Sequence, residues 1–462
     1  MPRQRQSVGP LDSNWAKAGK RLPASRRRWQ ENALKCSVRV PATVPVLPYC
    51  RDSQTGHMAA KGSISFSGLQ FNTSLFYDSL LLRYIEIRVD LVYNKKRKKK
   101  NGGHVMHPGY YDLADNLVGH TVGKWFINSK ILHKPSSGGT FSVGYEATDA
   151  QGNKGFLKAL DYSSAFGHPG QADMLNQMTS AYIFERDLLA QCSNRRLKYV
   201  VKIIDHGQYT AAPGTLPVGV SFCLPVDYLV LEMADNSVRS LIDLSKSFDY
   251  AWALRSLHNV AVGIEEMHGI QIAHQDIKPS NVLLFDSQHV SKLGDVGRSS
   301  SLALPAEHDR FATAGDRSYS PFEQLYGEIQ TDWKIRRFSC DMFMFGNLVM
   351  TYFNNISITM AVLNKLPASN WPNNWGDTYN AVLPQIQNAF SECLKDFNHN
   401  IDNDLRDELV SMIQQLCCPE VSLRGDLKNA HLGSQQYSLR RFISRLDVLA
   451  KKYEYQIKKV II

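Results

Sequence analysis

The sequence predicts an α+β fold with two lobes, a small β-rich lobe with one main helix followed by a larger helical lobe. Two observations predict it. Short β-rich runs broken by Gly and Ser occupy residues 121–160, and segments with apolar residues three or four apart dominate after about residue 237. The composition, 43% hydrophobic and 21% charged over 462 residues, is that of a globular protein with a sizeable core.

The elements can be assigned in order along the chain. The small lobe, residues 120–236, is predicted to hold strands at 125–127, 141–147, 155–160, 199–204 and 228–231, with its helix at 174–191. The large lobe, residues 237–462, is predicted to hold helices at 250–268, 339–353, 378–394, 403–416 and 437–457. The last of these is amphipathic, with one apolar face made of Leu439, Phe442, Leu446, Leu449, Tyr453 and Ile457.

The first hundred residues differ from the rest in charge. They hold 20 Lys and Arg against 6 Asp and Glu, whereas the remaining residues hold 33 against 37. Residues 1–60 carry basic clusters, several prolines and little periodicity, and the run Lys95–Lys100 must stay solvated, so residues 1–105 are predicted to be mostly disordered with a boundary near residue 105. Two interpretations stay open: a basic arm in weak contact with nucleic acid or an anionic surface, or a segment outside the natural protein, with translation starting at Met106 in a bacterial gene.

Several protein classes are excluded by simple patterns. No apolar run reaches the ~18 residues needed to cross a bilayer, and the basic N-terminus lacks the apolar core of a signal peptide. The eight cysteines are scattered, with no CxxC pair, which indicates reduced thiols rather than disulfides or zinc. We therefore expect a cytoplasmic protein without a transmembrane segment.

The most informative string is HQDIKPSN at residues 274–281, followed by an apolar run. It resembles the catalytic loop of protein kinases, H-R-D-x-K-x-x-N. The resemblance implies that Asp276 accepts the proton of the attacking hydroxyl, that Lys278 neutralises the moving phosphoryl group and that Asn281 holds a metal. Fourteen residues after Asn281, Asp295-Val296-Gly297 is similar to D-F-G, which implies that Asp295 binds the magnesium bridging the phosphates of ATP.

Upstream, residues 137–147 (SGGTFSVGYEA) look like a degenerate glycine-rich loop in which Ser137 and Ser142 replace two glycines. Taken alone, the string fits an ordinary hairpin better. Its place before GFLKA at residues 155–159, which resembles the V-A-I-K strand, favours a cover over the nucleotide. The resemblance implies nucleotide contacts from Ser137, Gly138, Gly139 and Phe141.

Lys158, within GFLKA, would then hold the α- and β-phosphates of ATP, and it needs an anion to orient it. Glu185 falls where the family's helix carries that glutamate, with Asp187 as a rival on another face of the same helix. Glu185 is preferred because it follows an apolar pair and should point inward. The run YLVLEMA at residues 228–234 resembles the strand and hinge that contact adenine, which implies contacts from Glu232 and Met233.

Three matches extend the resemblance through the large lobe. Residues 319–323 are similar to Y-x-A-P-E with the proline displaced, and residues 340–346 are similar to S-D-x-W-S-x-G. Arg424 matches a late arginine that pairs with the glutamate of the first motif. The resemblance therefore implies a Glu323–Arg424 ion pair and an Asp341 that bonds the catalytic-loop backbone. It covers about residues 120–430 and identifies the chain as a member of the eukaryotic-type Ser/Thr protein kinases, with a bacterial or mobile-element origin left open.

The resemblance implies the protein-kinase fold and ATP- and magnesium-dependent transfer to Ser or Thr of an unidentified protein. Two alternatives remain: a catalytically impaired scaffold, because the glycine-rich loop is degraded, and a small-molecule phosphotransferase of related fold. Lys278 and the large-lobe anchors favour a protein substrate.

Two departures from the family pattern bear on regulation. Gln275 replaces the arginine that binds a loop phosphate, so activity should not require phosphorylation of Ser299, Ser300, Ser301 or Thr313. Asp316 replaces the threonine of G-T-x-x-Y, so the contacts of the substrate loop are expected to be unusual.

Overall fold

The computed structural model describes residues 110–131, 141–165, 170–212, 216–220, 222–244 and 249–461. Within these ranges the predicted two-lobed α+β arrangement is confirmed. The basic segment 1–105 lies outside the described residues, and so do the loop residues Ser137, Gly138 and Gly139.

The small lobe is built on six antiparallel strands: β1 (Thr121–Val122), β2 (Trp125–Ile131), β3 (Ser142–Thr148), β4 (Lys154–Leu160), β5 (Ile203–Tyr209) and β6 (Val226–Glu232). In space they run β1-β2-β3-β4-β6-β5. Alternate residues point to opposite faces of a strand, and one face buries apolar side chains such as Trp125 and Tyr145. Leu113 and Leu117 join this core, so the packing begins before residue 120.

One predicted strand is displaced in the structure. The apolar run at 199–204 predicts a strand there, but β5 begins only at Ile203 and continues to Tyr209. Val200 makes an isolated parallel bridge with Leu293, and the Val201 amide donates to the Leu293 carbonyl at 2.8 Å. The apolar start of the run therefore packs at the junction with the large lobe, and the edge strand itself is partly polar.

The main helix of the small lobe is α1 (Gln171–Asn194), three residues longer at each end than predicted. Its buried residues include Met178, Leu188 and Leu189, but also the charged Glu185. A carboxylate is rarely buried without a partner. The packing of α1 therefore fixes a charge at the back of the cleft between the lobes.

The large lobe is mainly helical. Its helices are α2 (Val238–Leu244), α3 (Tyr250–Gly269), α4 (Phe322–Leu325), α5 (Trp333–Asn354), α6 (Ile358–Lys365), α7 (Tyr379–Lys395), α8 (Asn403–Leu416) and α9 (Arg440–Ile461). Its short strands are β7 (Asn236–Ser237), β8 (Ile272–Ala273), β9 (Val282–Phe285), β10 (Val290–Leu293) and β11 (Ser300–Ser301). β9 and β10 form a hairpin that carries the residues after the catalytic-loop string. The helices α2, α4 and α6 were not predicted because each is too short to show a clear period.

Helix α5 runs through the centre of the large lobe. The sequence predicts a start at residue 339, but the helix starts at Trp333, and the Asp332 side chain before it accepts a hydrogen bond from the Ile335 amide at 2.8 Å. Charged residues in the first turns hide the apolar period there. The early start matters for the site, because it brings Arg337 onto the same helix as Asp341, four residues and about one turn away.

The C-terminal helix α9 packs along α3. Arg255 of α3 donates to Asp447 at 2.9 Å and to Glu454 at 2.8 Å. Of the predicted apolar face, five residues are buried, but Ile457 is 41% exposed because the face leaves the body of the lobe before the helix ends. No helix in the described part of the chain has the length and apolar character that a membrane span needs.

Candidate active site

Lys158 and Glu185 meet in the cleft. Lys158 Nζ donates to the two carboxylate oxygens of Glu185 at 2.7 and 2.8 Å. The rival Asp187 instead accepts from its neighbour Arg186 at 2.8 Å. Burial acts to lower the pKa of Lys158, but the charges of Glu185 and Asp295 outweigh burial and raise it. Lys158 is thus a fixed cation with its side chain still 23% exposed toward the cleft.

Three donors bind the carboxylate of Asp276. Its Oδ2 accepts from Asn281 Nδ2 at 2.9 Å and lies 3.0 Å from Lys278 Nζ, and its Oδ1 accepts from the Asp316 amide at 2.8 Å. Burial raises the pKa of Asp276, and the nearby charge of Asp295 adds to this, while Lys278 acts in the opposite direction. The carboxylate is therefore oriented and nearly enclosed, with 5% of the residue exposed.

Asp341 fixes the backbone that carries Asp276. Its carboxylate accepts from the amides of His274 and Gln275 at 2.7 Å each, from Gln275 Nε2 at 2.8 Å, and from His268 Nε2 at 2.9 Å. Burial acts to raise the pKa of Asp341, but these hydrogen bonds and the nearby imidazoles lower it. Gln275 has a φ of 61°, in the left-handed region, so the loop needs this anchoring to keep its shape.

Asp295 brings a third carboxylate to the cleft. Its Oδ1 lies 3.7 Å from Lys158 Nζ, and its side chain is 48% exposed. Partial desolvation acts to raise the pKa of Asp295, but the positive charges of Lys158 and Lys278 lower it, so the group is ionised. The amide of Gly294, just before it, donates to the Asn281 carbonyl at 2.9 Å, which ties Asp295 to the loop of Asp276.

The donor set suits magnesium bound together with a nucleotide. Asp295 offers a half-exposed carboxylate, and Asn281 offers Oδ1 because its Nδ2 is already used by Asp276. In the described ranges no group of three or more His, Cys, Asp or Glu could hold a metal ion alone. Mg²⁺ is usually bound by one or two carboxylates completed by substrate phosphates and water, which these two residues fit.

Asp316 approaches the same centre from the segment that precedes α4. Its carboxylate lies 3.6 Å from Lys278 Nζ, so Lys278 stands between two acidic groups. Gly315 permits this approach, since a Cβ there would lie 2.2 Å from the Gln275 carbonyl oxygen and 2.7 Å from Asp276 Oδ1. Asp316, which stands where G-T-x-x-Y has a threonine, thus contacts Lys278 through charge.

The residues predicted to contact the nucleotide differ in their surroundings. The Glu232 carboxylate accepts from Lys292 Nζ at 2.6 and 2.7 Å and from the Lys202 amide at 2.9 Å, and the Glu232 amide donates to the Lys202 carbonyl at 3.1 Å. Met233 follows it and is half-buried. Phe141 packs on a small cluster that includes Leu160 and Met178.

The large-lobe anchors lie behind the site. Arg424 donates to the two carboxylate oxygens of Glu323 at 2.9 Å each, and both residues are buried. The guanidinium also lies over the Phe343 ring, 4.9 Å from its centroid. The ion pair implied by the sequence is therefore present, and it connects α4 to the loop after α8.

A family model described as "Protein kinase domain" matches residues 171–432, which is more than half of the chain. The chain belongs to the protein kinase family. The bilobal protein-kinase fold predicted from the sequence is thereby confirmed.

Curated kinases are similar to parts of this kinase domain. Human cyclin-dependent kinase-like 2 is 34% identical over 125 residues, which cover 25% of this chain and 24% of that protein. The Ser/Thr-protein kinase greatwall of Xenopus tropicalis is 30% identical over 168 residues, covering 36% of this chain and 16% of its own length. Ser/Thr-protein kinase ppk18 of Schizosaccharomyces pombe is 35% identical over 95 residues, covering 20% and 7%. The chain thus spans a quarter or less of these relatives.

Sequence reasoning missed one buried group of the kinase site. Arg337, only 2% exposed, donates to Gln275 Oε1 at 3.1 Å and to Asp309 Oδ1 at 2.8 Å. The available signal was its spacing: Arg337 precedes Asp341 by four residues, and residues four apart share a helix face. An Asp341 that bonds the catalytic loop therefore predicts that Arg337 lies near the same loop.

Proposed function

We propose that the chain is an ATP-dependent protein kinase that transfers the γ-phosphoryl group to a Ser or Thr hydroxyl of a protein. The observation that carries the proposal is the meeting of Lys158, Glu185 and Asp295 with the loop of Asp276 in one cleft. These groups carry the charges that phosphoryl transfer requires, in the arrangement of a kinase site. The Ser/Thr relatives support the hydroxyl class.

Each residue then has a separate task. Asp276 accepts the proton of the hydroxyl, and its three donors keep the carboxylate oriented while Lys278 neutralises the moving phosphoryl group. Lys158, oriented by Glu185, holds the α- and β-phosphates. Magnesium, bound by Asn281 and Asp295, would supply charge neutralisation at the phosphates.

The remaining proposals concern the nucleotide contacts and the cellular location. We propose that backbone atoms of Glu232 and Met233 contact adenine, and that the loop of Ser137, Gly138, Gly139 and Phe141 covers the phosphates. We also propose a cytoplasmic location, from the scattered cysteines. An impaired scaffold is the alternative that the serines in the glycine-rich loop favour.

The test uses the full chain with magnesium, γ-labelled ATP and a mixture of proteins rich in Ser, Thr and Tyr. We expect label on phosphoserine or phosphothreonine after acid hydrolysis. Label on phosphotyrosine alone would contradict the hydroxyl class. Label on a small molecule without any on protein would support the related phosphotransferase, and magnesium-dependent ATP binding without transfer would support the scaffold.

A second prediction concerns phosphorylation of the protein itself. Ser299, Ser300 and Ser301 are buried, and Gln275 brings no charge to the catalytic loop. Treatment with a broad phosphatase, followed by its removal, should therefore leave the initial rate nearly unchanged. The phosphate content is measured by mass spectrometry before and after treatment. A large loss of rate that returns on re-phosphorylation would contradict this expectation.

A further inference from the structure

The segment between β11 and α4 contains one turn of 3-10 helix, Glu307–Arg310, that contacts both halves of the site. In this turn Asp309 reaches toward the large lobe and His308 toward the small lobe. No task in the proposed mechanism uses either residue. Their contacts nevertheless join elements that must be in place together for phosphoryl transfer.

Asp309 is bound to the buried Arg337. Arg337 Nη2 donates to Asp309 Oδ1 at 2.8 Å and to the Asp309 carbonyl oxygen at 3.0 Å. The second carboxylate oxygen, Oδ2, accepts from the Ala306 amide at 2.9 Å, which closes the turn. A guanidinium that is only 2% exposed needs a counter-charge, and Asp309 supplies a carboxylate within ion-pair distance of it.

Arg337 also contacts the catalytic loop. Its Nη1 donates to Gln275 Oε1 at 3.1 Å, and Gln275 Nε2 donates back to the Arg337 carbonyl at 2.9 Å. Gln275 directly precedes Asp276 and shares the Asp341 carboxylate with the loop backbone. A continuous chain of hydrogen bonds therefore runs from Asp309 to the residue next to the proposed base.

His308 links the same turn to the small lobe. Its Nε2 donates to the Ser299 carbonyl at 2.7 Å, four residues after Asp295. Its ring meets the ring of Phe184 edge to face, with 5.5 Å between centroids. Phe184 directly precedes Glu185 on α1, so the position of the turn also affects the position of Glu185, the partner of Lys158.

We propose that Asp309 is a positioning residue that holds the segment 299–320 against the catalytic loop through Arg337, without phosphorylation. The proposal rests on the proposed kinase function. Here the cation comes from α5 rather than from the residue before Asp276, and the anion is a permanent carboxylate rather than a phosphate. The substitution of the family's arginine by Gln275 is thereby explained, because a neutral amide can accept from Arg337 while donating to Asp341.

The test compares Asp309→Ala and Asp309→Asn with Glu307→Gln as the matched control. Glu307 lies in the same turn, is exposed and has only a 4.0 Å contact with Arg310. We expect Asp309→Ala to lower kcat for a protein substrate by at least about tenfold, the effect of losing a charge-assisted hydrogen bond. The kcat of Asp309→Asn, which keeps the shape of the side chain but not its charge, should lie between those of Asp309→Ala and the wild type. The KM for ATP should stay nearly unchanged in all three variants.

Hydrogen exchange gives a readout that does not need activity. Amides of residues 299–313 should lose protection in Asp309→Ala and keep it in Glu307→Gln. In a double-mutant cycle, adding Arg337→Gln to Asp309→Ala should cost little more, because the two residues act as a unit.

Three results would overturn the inference: kcat and exchange of Asp309→Ala equal to those of Glu307→Gln, additive effects in the cycle, or lower stability with an unchanged kcat per folded molecule. If the wild-type chain transfers no phosphoryl group, the proposed function fails, and the exchange comparison decides the role of Asp309 by itself.

Discussion

Asp295→Asn should lower the rate of phosphoryl transfer by about a thousandfold or more while the fold stays intact, because it removes the negative charge that would hold magnesium at the phosphates. Asp295 has a φ of 56°, and Asn is among the few residues that accept this left-handed conformation. Lys158 keeps Glu185 as a partner, so the small lobe loses no buried pair. The measurement is the initial rate with γ-labelled ATP, beside the thermal midpoint of each variant.

The matched control is Asp286→Asn. Asp286 also has a left-handed φ, 53°, but it lies exposed in the turn between β9 and β10, away from the site. It should keep the wild-type rate and the wild-type midpoint. If Asp295→Asn retained full activity, the assignment of Asp295 to the phosphates would be refuted.

Lys158→Met should also abolish transfer, but with a second effect that distinguishes it. It leaves Glu185, which is 8% exposed, without the cation that both of its oxygens bind. An uncompensated buried carboxylate is costly, so this variant should also unfold more readily. Asp295→Asn is therefore the cleaner test of catalysis.

Arg424→Met should destabilise the protein by about 3–5 kcal/mol, the usual cost of leaving one member of a buried ion pair alone. Arg424 is completely buried and donates to Glu323, to the Cys418 carbonyl at 3.0 Å and to the Ser339 carbonyl at 3.3 Å. Its loss would leave Glu323 charged and 2% exposed. The measurement is the free energy of unfolding in urea, followed by a signal from the large lobe.

Arg445→Met provides the comparison. Arg445 also pairs with a single glutamate, Glu408, but that carboxylate side chain is 46% exposed, so the pair should contribute about 1 kcal/mol or less. Equal destabilisation by the two variants would show that burial does not decide the worth of the Glu323–Arg424 pair. Removing both charges, in Glu323→Leu with Arg424→Met, should recover part of the loss because no buried charge then remains.

The sequence by itself determined the fold class and most of the residues proposed for the site. Residues 274–281 place an acid, a lysine and an asparagine within one short loop, so their spacing is visible without any tertiary information. The contact of Lys158 with Glu185 was predictable because Glu185 was expected on the inward face of its helix. Element type was predictable where the apolar period was long, as in α3 and α8, and it failed for the short α2, α4 and α6.

Only the tertiary structure decided how the loop of Asp276 is supported. Arg337 joins Asp309 and Gln275, which lie 28 and 62 residues from it along the chain, and no local pattern relates such positions. The packing of α5 under the catalytic loop buries Arg337 beside that loop. A buried guanidinium pairs with the carboxylate that lies close in space, whatever their separation in the chain. Leaving Arg337 unpaired would cost more free energy than ordering the turn that carries Asp309.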